Sequence, residues 1–151
     1  RIGLGGRPFS IFKPRTMTYN EGPSSLEVDM TKENDPRITR LGSFLRKSRI
    51  DEIPQLINIV RGEMSFIGPR PETVNLSSWY AETIDFYAYR HVVLPGISGW
   101  AQVKQGHVTS TDDVLRKLQY DLYYIKNFSF WLDIVIILKT CKIMILKLGA
   151  K

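Results

Sequence analysis

Ser48-Arg49-Ile50-Asp51-Glu52-Ile53-Pro54-Gln55-Leu56-Ile57-Asn58-Ile59-Val60-Arg61-Gly62 carries a helix signal with both ends marked. Ser48 to Asp51 offer capping oxygens for a start, Ile53, Leu56, Ile57 and Val60 follow at i, i+3, i+4 and i+7, and Gly62 offers a stop. Pro54 falls in the first turn or so, where little or no intrahelical N–H is lost. The pattern predicts a helix with Asp51 and Glu52 at its N-terminus.

Upstream, Asp35-Pro36 is a second start signal, and Ile38, Leu41 and Leu45 follow at helical spacing with Arg40, Arg46 and Lys47 on other faces. The polar stretch from Thr18 to Asn34, with Gly22 and Pro23, reads as a loop. Phe9-Ser10-Ile11-Phe12-Lys13 nearly alternates apolar with polar residues, which predicts a short strand leading into the basic loop Lys13-Pro14-Arg15-Thr16-Met17.

Downstream, Met64 to Ile67 reads as a short buried strand. Gly68-Pro69-Arg70-Pro71-Glu72 reads as a rigid turn, because prolines fix φ on either side of Arg70. A helix is expected over Val74 to Tyr89, a turn over Pro95 to Gly99 and a short strand over Trp100 to Val103. Ser110 to Asp113 resembles a capping box, ahead of a stripe of Leu115, Leu118, Leu122 and Ile125. Phe128 to Leu148 is the most apolar stretch, but Asp133, Lys139, Lys142 and Lys147 interrupt it, and a spanning helix needs roughly 20 nearly uncharged residues. It predicts a helix on a membrane surface or docked on the core. The expected fold class is α/β in the α+β sense, mostly helical with a few short strands, as one domain over 1–151.

Composition narrows the partners. Hydrophobic residues make up 43% and charged residues 24% of 151 positions, ordinary for a globular chain and unlike a disordered or many-span one. The net charge of +6, from 21 basic against 15 acidic residues, favours a phosphate-rich partner: nucleic acid, anionic lipid or a phosphorylated substrate. A single cysteine, Cys141, fits a reducing compartment. Arg1 to Ser10 is Gly-rich and basic without the apolar run of a signal peptide, and the abrupt opening is expected to mark a fragment.

Asp51 and Glu52 alone are ordinary N-terminal capping charges. With Arg46 and Arg49 just upstream and Arg70 in its proline-locked turn, they also describe a phosphate pocket with carboxylates inside it, since a guanidinium fork matches phosphate oxygens. A carboxylate in such a pocket is placed to attack phosphorus, and its neighbour is free to hold Mg²⁺, which prefers oxygen ligands shared with substrate phosphates. Arg70 has a second reading, closing its own turn by bonding nearby carbonyls. His91 and His107 lack zinc-ligand spacing, and no P-loop or nucleophile-elbow motif occurs. Gly3-Leu4-Gly5-Gly6 is too loose for a phosphate cradle. Asp121, one turn after Lys117 and off the expected stripe, reads first as half of a helix-surface ion pair.

These residues, taken in order, resemble the bacterial sugar transferases, the monotopic phosphoglycosyl transferases that act on polyprenyl phosphate. The resemblance runs through Arg1-Ile2-Gly3, Gly6, Pro8-Phe9, Phe12-Lys13 and Arg15-Thr16-Met17. It continues through Asp35-Pro36-Arg37-Ile38-Thr39-Arg40, Phe44-Leu45-Arg46, Asp51-Glu52-Ile53-Pro54-Gln55-Leu56, the run from Gly62 to Glu72, and Pro95 to Val103. It implies transfer of a hexose-1-phosphate from a UDP-sugar to polyprenyl (undecaprenyl) phosphate, with Asp51 forming a covalent phosphosugar and UMP released. Mg²⁺ is implied as the cofactor, with Glu52, Asp121 and Asp133 as candidate ligands. Phosphate or substrate contacts are implied for Lys13, Arg15, Arg46, Arg70 and Arg90. Two positions depart from the pattern: Pro14 replaces an aromatic, and Lys104-Gln105-Gly106-His107 replaces an Asn-Gly-Arg run, so that His107 stands where an arginine is usual.

The resemblance further implies the cytoplasmic face of the bacterial inner membrane as location, its inner leaflet as a partner surface, and a membrane-dipping helix preceding Arg1. It leaves a homodimer open and predicts no nucleic-acid partner. The competing reading is a non-catalytic basic module for membrane surfaces or nucleic acid. It explains the charge and the lysine-punctuated tail but leaves Asp51-Glu52 and the Gly-Pro-Arg-Pro turn without a role.

Overall fold

The computed structural model describes residues 1–18, 35–105 and 111–146. Most of the expected loop from Thr18 to Asn34, together with Ser110, His107 and Lys147, lies outside them. The architecture is mostly helical α+β, as expected. After a 3-10 turn at Leu4–Gly6, the order is α1 (Arg40–Lys47), a 3-10 segment (Ile50–Gln55) running into α2 (Leu56–Val60), β1 (Ser65–Ile67) and α3 (Val74–Thr83). There follow a 3-10 segment (Tyr87–Val92), β2 (Gly96–Ser98), α4 (Trp100–Gln105), α5 (Thr111–Lys126) and α6 (Phe130–Ile145).

The two strands pair in parallel, Ser65 with Gly96 and Ile67 with Ser98, joined through α3 and the second 3-10 segment. The expected turn at Pro95 to Gly99 thus holds a strand, and the expected strand at Trp100 is the start of α4. Strand pairing brings Gly96 so close that a Cβ there would lie 2.2 Å from the Gly68 nitrogen. The proline turn is therefore pressed against β2 from its first residue.

Two apolar clusters share α5. Val114 and Leu118 pack with Leu76, Tyr80, Ile84 and Tyr87, while Tyr124 packs with Ile67 and Ile136. The inward stripe runs Val114, Leu118, Asp121 and Ile125, and Leu115 is 42% exposed. Of the expected stripe Leu118, Leu122 and Ile125 pack on these clusters and Leu115 does not, while Asp121, expected on the helix surface, is 2% exposed. The expected helix from Val74 to Tyr89 ends at Thr83, where Ile84 turns extended, and the chain resumes as a 3-10 segment after Phe86, whose φ of 64° lies in the left-handed region.

Helix α1 starts later than Asp35-Pro36. The Asp35 carboxylate is taken by Arg37, at 2.6 Å from Nη2, and the capping group is Thr39, whose hydroxyl accepts from the Gly42 N–H at 2.9 Å. No strand forms at Phe9 to Lys13. That segment is an extended strap stitched to α2 by one side chain: Asn58 Oδ1 accepts from the Phe12 N–H at 3.0 Å, and Asn58 Nδ2 donates to the Ser10 carbonyl at 2.7 Å. The strap continues over α1, where a Cβ on Gly42 would lie 2.0 Å from the Thr16 oxygen.

The stretch from Ser48 to Gly62 forms the expected helix, as a 3-10 segment running into α2, and turns a polar face inward. Ile53, Leu56, Ile57 and Val60 are 57%, 41%, 46% and 89% exposed, and the buried positions are Asp51, Gln55 and Asn58. These also recur at i, i+4 and i+7, so the helix is amphipathic as expected, with its polar face inward.

A buried carboxylate dyad as the candidate active site

The inward polar face begins with an unusual backbone. Arg49 enters the 3-10 segment at φ 57°, a left-handed conformation that disfavours a side chain by about 1–2 kcal/mol. It turns the two carboxylates apart. Asp51 points into the protein at 3% exposure, and Glu52 faces the proline turn.

Asp51 Oδ2 accepts from the Lys13 ammonium at 2.7 Å, brought by the strap, and Oδ1 is buried with no protein partner. Glu52 Oε1 accepts from Arg70 Nη2 at 2.9 Å and from Arg49 Nη1 at 3.3 Å. Arg70 Nη1 donates to the Ile97 carbonyl at 3.2 Å, so this side chain both closes its turn and meets the dyad. Arg46 is tied to the strap, Nε donating to the Thr16 hydroxyl at 2.9 Å. Arg15 lies exposed between Lys13 and Thr16. Two ion-paired groups result, Lys13 with Asp51, and Arg49 and Arg70 with Glu52, adjacent because Asp51 and Glu52 are neighbours in sequence, while Arg46 bonds the strap at Thr16.

The later residues form a separate group behind the turn. Arg90 is 3% exposed and donates through Nε to Asp121 Oδ2 (3.1 Å), through Nη1 to the Tyr87 hydroxyl (2.8 Å) and through Nη2 to the Arg70 carbonyl (2.8 Å), with Nη2 also in ion-pair distance of Asp121 Oδ2 (2.8 Å). Burial works against its charge, but Asp121, Tyr87 and Glu72 outweigh it and hold the guanidinium protonated. Burial pushes the Tyr87 phenol up to about 12. Beside this group Lys117 pairs with Glu72 rather than with Asp121. Burial works against the Glu72 charge, yet Lys117 and Arg90 bring its pKa down to about 2. Burial and the adjacent Arg90 lower His91 to about 4.

Asp133 stands apart at the start of α6, where it accepts from the Tyr124 hydroxyl at 2.9 Å. The structure does not gather Glu52, Asp121 and Asp133: among the described residues no group of three or more His, Cys, Asp or Glu is placed to share a metal ion. His107 lies outside the described residues.

Sequence reasoning passed over Gln55 and Tyr87. Gln55 is 1% exposed and its Nε2 has no partner. The available signal was its position, one turn after Asp51 on the face that the apolar residues leave free. Chemically, the site offers a carboxylate oxygen without a protein partner, an ammonium on the same carboxylate, and two guanidinium groups on the neighbouring Glu52. Such a set suits a tetrahedral phosphorus centre with anionic oxygens.

Residues 1–147 match the profile of the bacterial sugar transferases. The chain is 46% identical over 151 residues, all of its length and 35% of the relative's, to a UDP-N-acetylgalactosamine-undecaprenyl-phosphate N-acetylgalactosaminephosphotransferase of Aeromonas hydrophila. It is 46% identical over 142 residues, 93% of its length and 29% of the relative's, to a UDP-glucose:undecaprenyl-phosphate glucose-1-phosphate transferase of Xanthomonas campestris pv. campestris. A protein of the same description from Escherichia coli (strain K12) is 39% identical over 142 residues, 93% of this chain and 30% of the relative. The chain spans about a third of the length of these relatives.

Proposed function

The chain belongs to the bacterial sugar transferase family, and from that premise we propose that it moves a sugar-1-phosphate from a UDP-sugar to undecaprenyl phosphate, with Asp51 as the nucleophile. The supporting observation is Asp51 itself, a carboxylate with one oxygen on Lys13 and the other buried without a protein partner. In the first step Asp51 Oδ1 attacks the β-phosphorus of the donor. The bond from that phosphorus to the bridging oxygen breaks, UMP leaves with the electron pair, and the phosphosugar stays on the carboxylate as an acyl phosphate. In the second, an oxygen of undecaprenyl phosphate attacks the same phosphorus, and the bond to Asp51 breaks to restore the carboxylate.

A carboxylate attacking a diphosphate meets like charge, and the ammonium of Lys13 and the guanidinium groups of Arg46 and Arg70 offset that repulsion. A Mg²⁺ ion would find Glu52 as its protein oxygen ligand here, the remaining ligands being donor phosphate oxygens, since among the described residues no group of three or more His, Cys, Asp or Glu is placed to share a metal ion. Glu52 would hold it together with the donor's phosphates. When bound it would neutralise phosphate charge.

Relatives of equal identity carry different sugars in their names, N-acetylgalactosamine in one and glucose in the other, so the donor class is a UDP-hexose of either kind. The apolar face of α2 and the exposed Phe130, Trp131 and Leu138 of α6 suit a lipid surface, where the second substrate resides. Since UDP-sugars are made in the cytosol, the surface is the cytoplasmic face of the membrane. No helix among the described residues is long and apolar enough to cross it.

The deciding experiment is Asp51→Asn, which keeps shape but removes the nucleophile. Incubated with UDP-glucose or UDP-N-acetylgalactosamine, undecaprenyl phosphate and Mg²⁺, the variant is expected to release no UMP and to show no phosphosugar adduct by intact mass. Turnover within about tenfold of the parent would remove Asp51 from the role.

A further inference from the structure

Arg70 is held from behind as well as in front. Its guanidinium meets Glu52 and the Ile97 carbonyl, and its own carbonyl accepts from Arg90 Nη2 at 2.8 Å. The Nε of the same guanidinium donates to Asp121 at 3.1 Å, with Nη2 at ion-pair distance from that carboxylate, so one side chain joins helix α5 to the turn that carries Arg70. A continuous hydrogen-bonded path therefore runs from Asp121 through Arg90 to the Arg70 backbone, and from the Arg70 side chain to Glu52.

We infer that Arg90 and Asp121 are positioning residues, a buried strut that fixes the Arg70 carbonyl and so the angle at which the Arg70 guanidinium is presented to the dyad and to a donor phosphate. This rests on the phosphoryl-transfer reading above. Neither residue touches the donor: Arg90 is 3% exposed with Nε, Nη1 and Nη2 all engaged, and Asp121 is 2% exposed.

Two physical facts give the strut its purpose. Proline nitrogens on both sides of Arg70 carry no hydrogen, so beyond the Gly68 N–H, which donates to the Ser98 carbonyl at 2.9 Å, the turn is tied down through its carbonyls. The Pro69 carbonyl accepts from the Gly96 N–H at 3.1 Å, and the Arg70 carbonyl accepts from Arg90. Moreover, a fully buried ion pair is a poor stabiliser compared with apolar packing of the same volume, so geometry is the better account of what it supplies. Tyr87 completes the arrangement by accepting from Nη1, which leaves the guanidinium plane little freedom to turn.

The alternative is a purely structural clamp between α5 and the Tyr87–Val92 segment, and a double-mutant cycle on the full chain separates the two. Donor affinity is measured by calorimetry with UDP-glucose and UDP-N-acetylgalactosamine in the Asp51→Asn background, where nothing turns over, for Asp121→Asn and Arg70→Ala alone and combined. Asp121→Asn is expected to weaken donor binding about tenfold alone and less than about twofold once Arg70 is alanine, because its effect passes through Arg70. Equal weakening in both backgrounds, or unchanged affinity in a folded Asp121→Asn protein, overturns the inference. Should Asp121→Asn fail to fold, Tyr87→Phe removes the acceptor of Nη1 with far less disturbance. It must then show the same dependence on Arg70 at roughly three- to fivefold. Failure of the nucleophile reading is visible separately, as turnover or adduct in Asp51→Asn with Arg70 intact, and leaves the cycle readable.

Discussion

Gln55 Nε2 is a buried donor with nothing to bond, one turn after a buried carboxylate oxygen in the same condition. An unsatisfied buried donor costs about 1–3 kcal/mol, so the position is held at the expense of stability unless a ligand satisfies it. Gln55→Leu keeps the volume and removes the orphan, and stability in urea is expected to rise by about 1 kcal/mol. UMP release is expected to fall about tenfold, as when one donor to a developing oxyanion is lost. A more stable variant with unchanged turnover would make Gln55 mere filling. The carboxylates and arginines around it were legible in the sequence because charged side chains at a helix start and in a Pro-bracketed turn announce themselves. An orphaned amide does not, since Gln is common on any solvated face and only burial marks it out.

At the scale of elements, the stretch from Ser48 to Gly62 marks the limit of what periodicity carries. The spacing of its apolar residues identified a helix and its two faces correctly, but spacing tells which side is apolar, not which side the rest of the chain covers. Here Asn58 and Asp51 hold the strap at Phe12 and Lys13, and this hydrogen-bonded contact, made by residues distant in the sequence, decides the inward face. The same distance hid β2, whose partner lies beyond α3, and the burial of Asp121 against Arg90. Core burial and outward exposure of Ile53 and Val60 differ in a measurable way. Had these side chains formed a core, Ile53→Ser with Val60→Ser would cost several kcal/mol. At 57% and 89% exposure the pair is expected to change stability by less than about 1 kcal/mol. Flotation with vesicles containing phosphatidylglycerol is expected to drop severalfold, and unchanged flotation would take this face out of the lipid contact.

For the whole molecule, the layer behind the proline turn sets the response to acid. His91 sits edge-on to Tyr87, at 5.9 Å between rings, and burial together with the neighbouring Arg90 takes its pKa from 6.5 to about 4. The unfolded chain therefore binds a proton near pH 6.5 that the folded chain refuses until about 4, and stability falls with pH across that window. Glu72 acts with the same sign lower down. Burial works to raise it, but Lys117 and Arg90 bring it from 4.5 to about 2, so the unfolded chain again takes the proton first as the pH drops through 4.5. The two windows meet end to end, and Arg90 is a cause in both. Stability from urea unfolding is thus expected to decline as the pH falls below about 6.5 and to keep declining below 4.5. Substituting each group should flatten its own window: His91→Gln the part between 6.5 and 4.5, Glu72→Gln the part below. Other carboxylates titrate in the lower range, so the difference between parent and variant carries the information, and the upper window is the cleaner one because His107 is the only other histidine. A His91→Gln curve parallel to the parent between pH 6.5 and 4.5 would show that His91 is solvated in the folded protein. It would then fail to report the burial that holds Arg90 against Asp121.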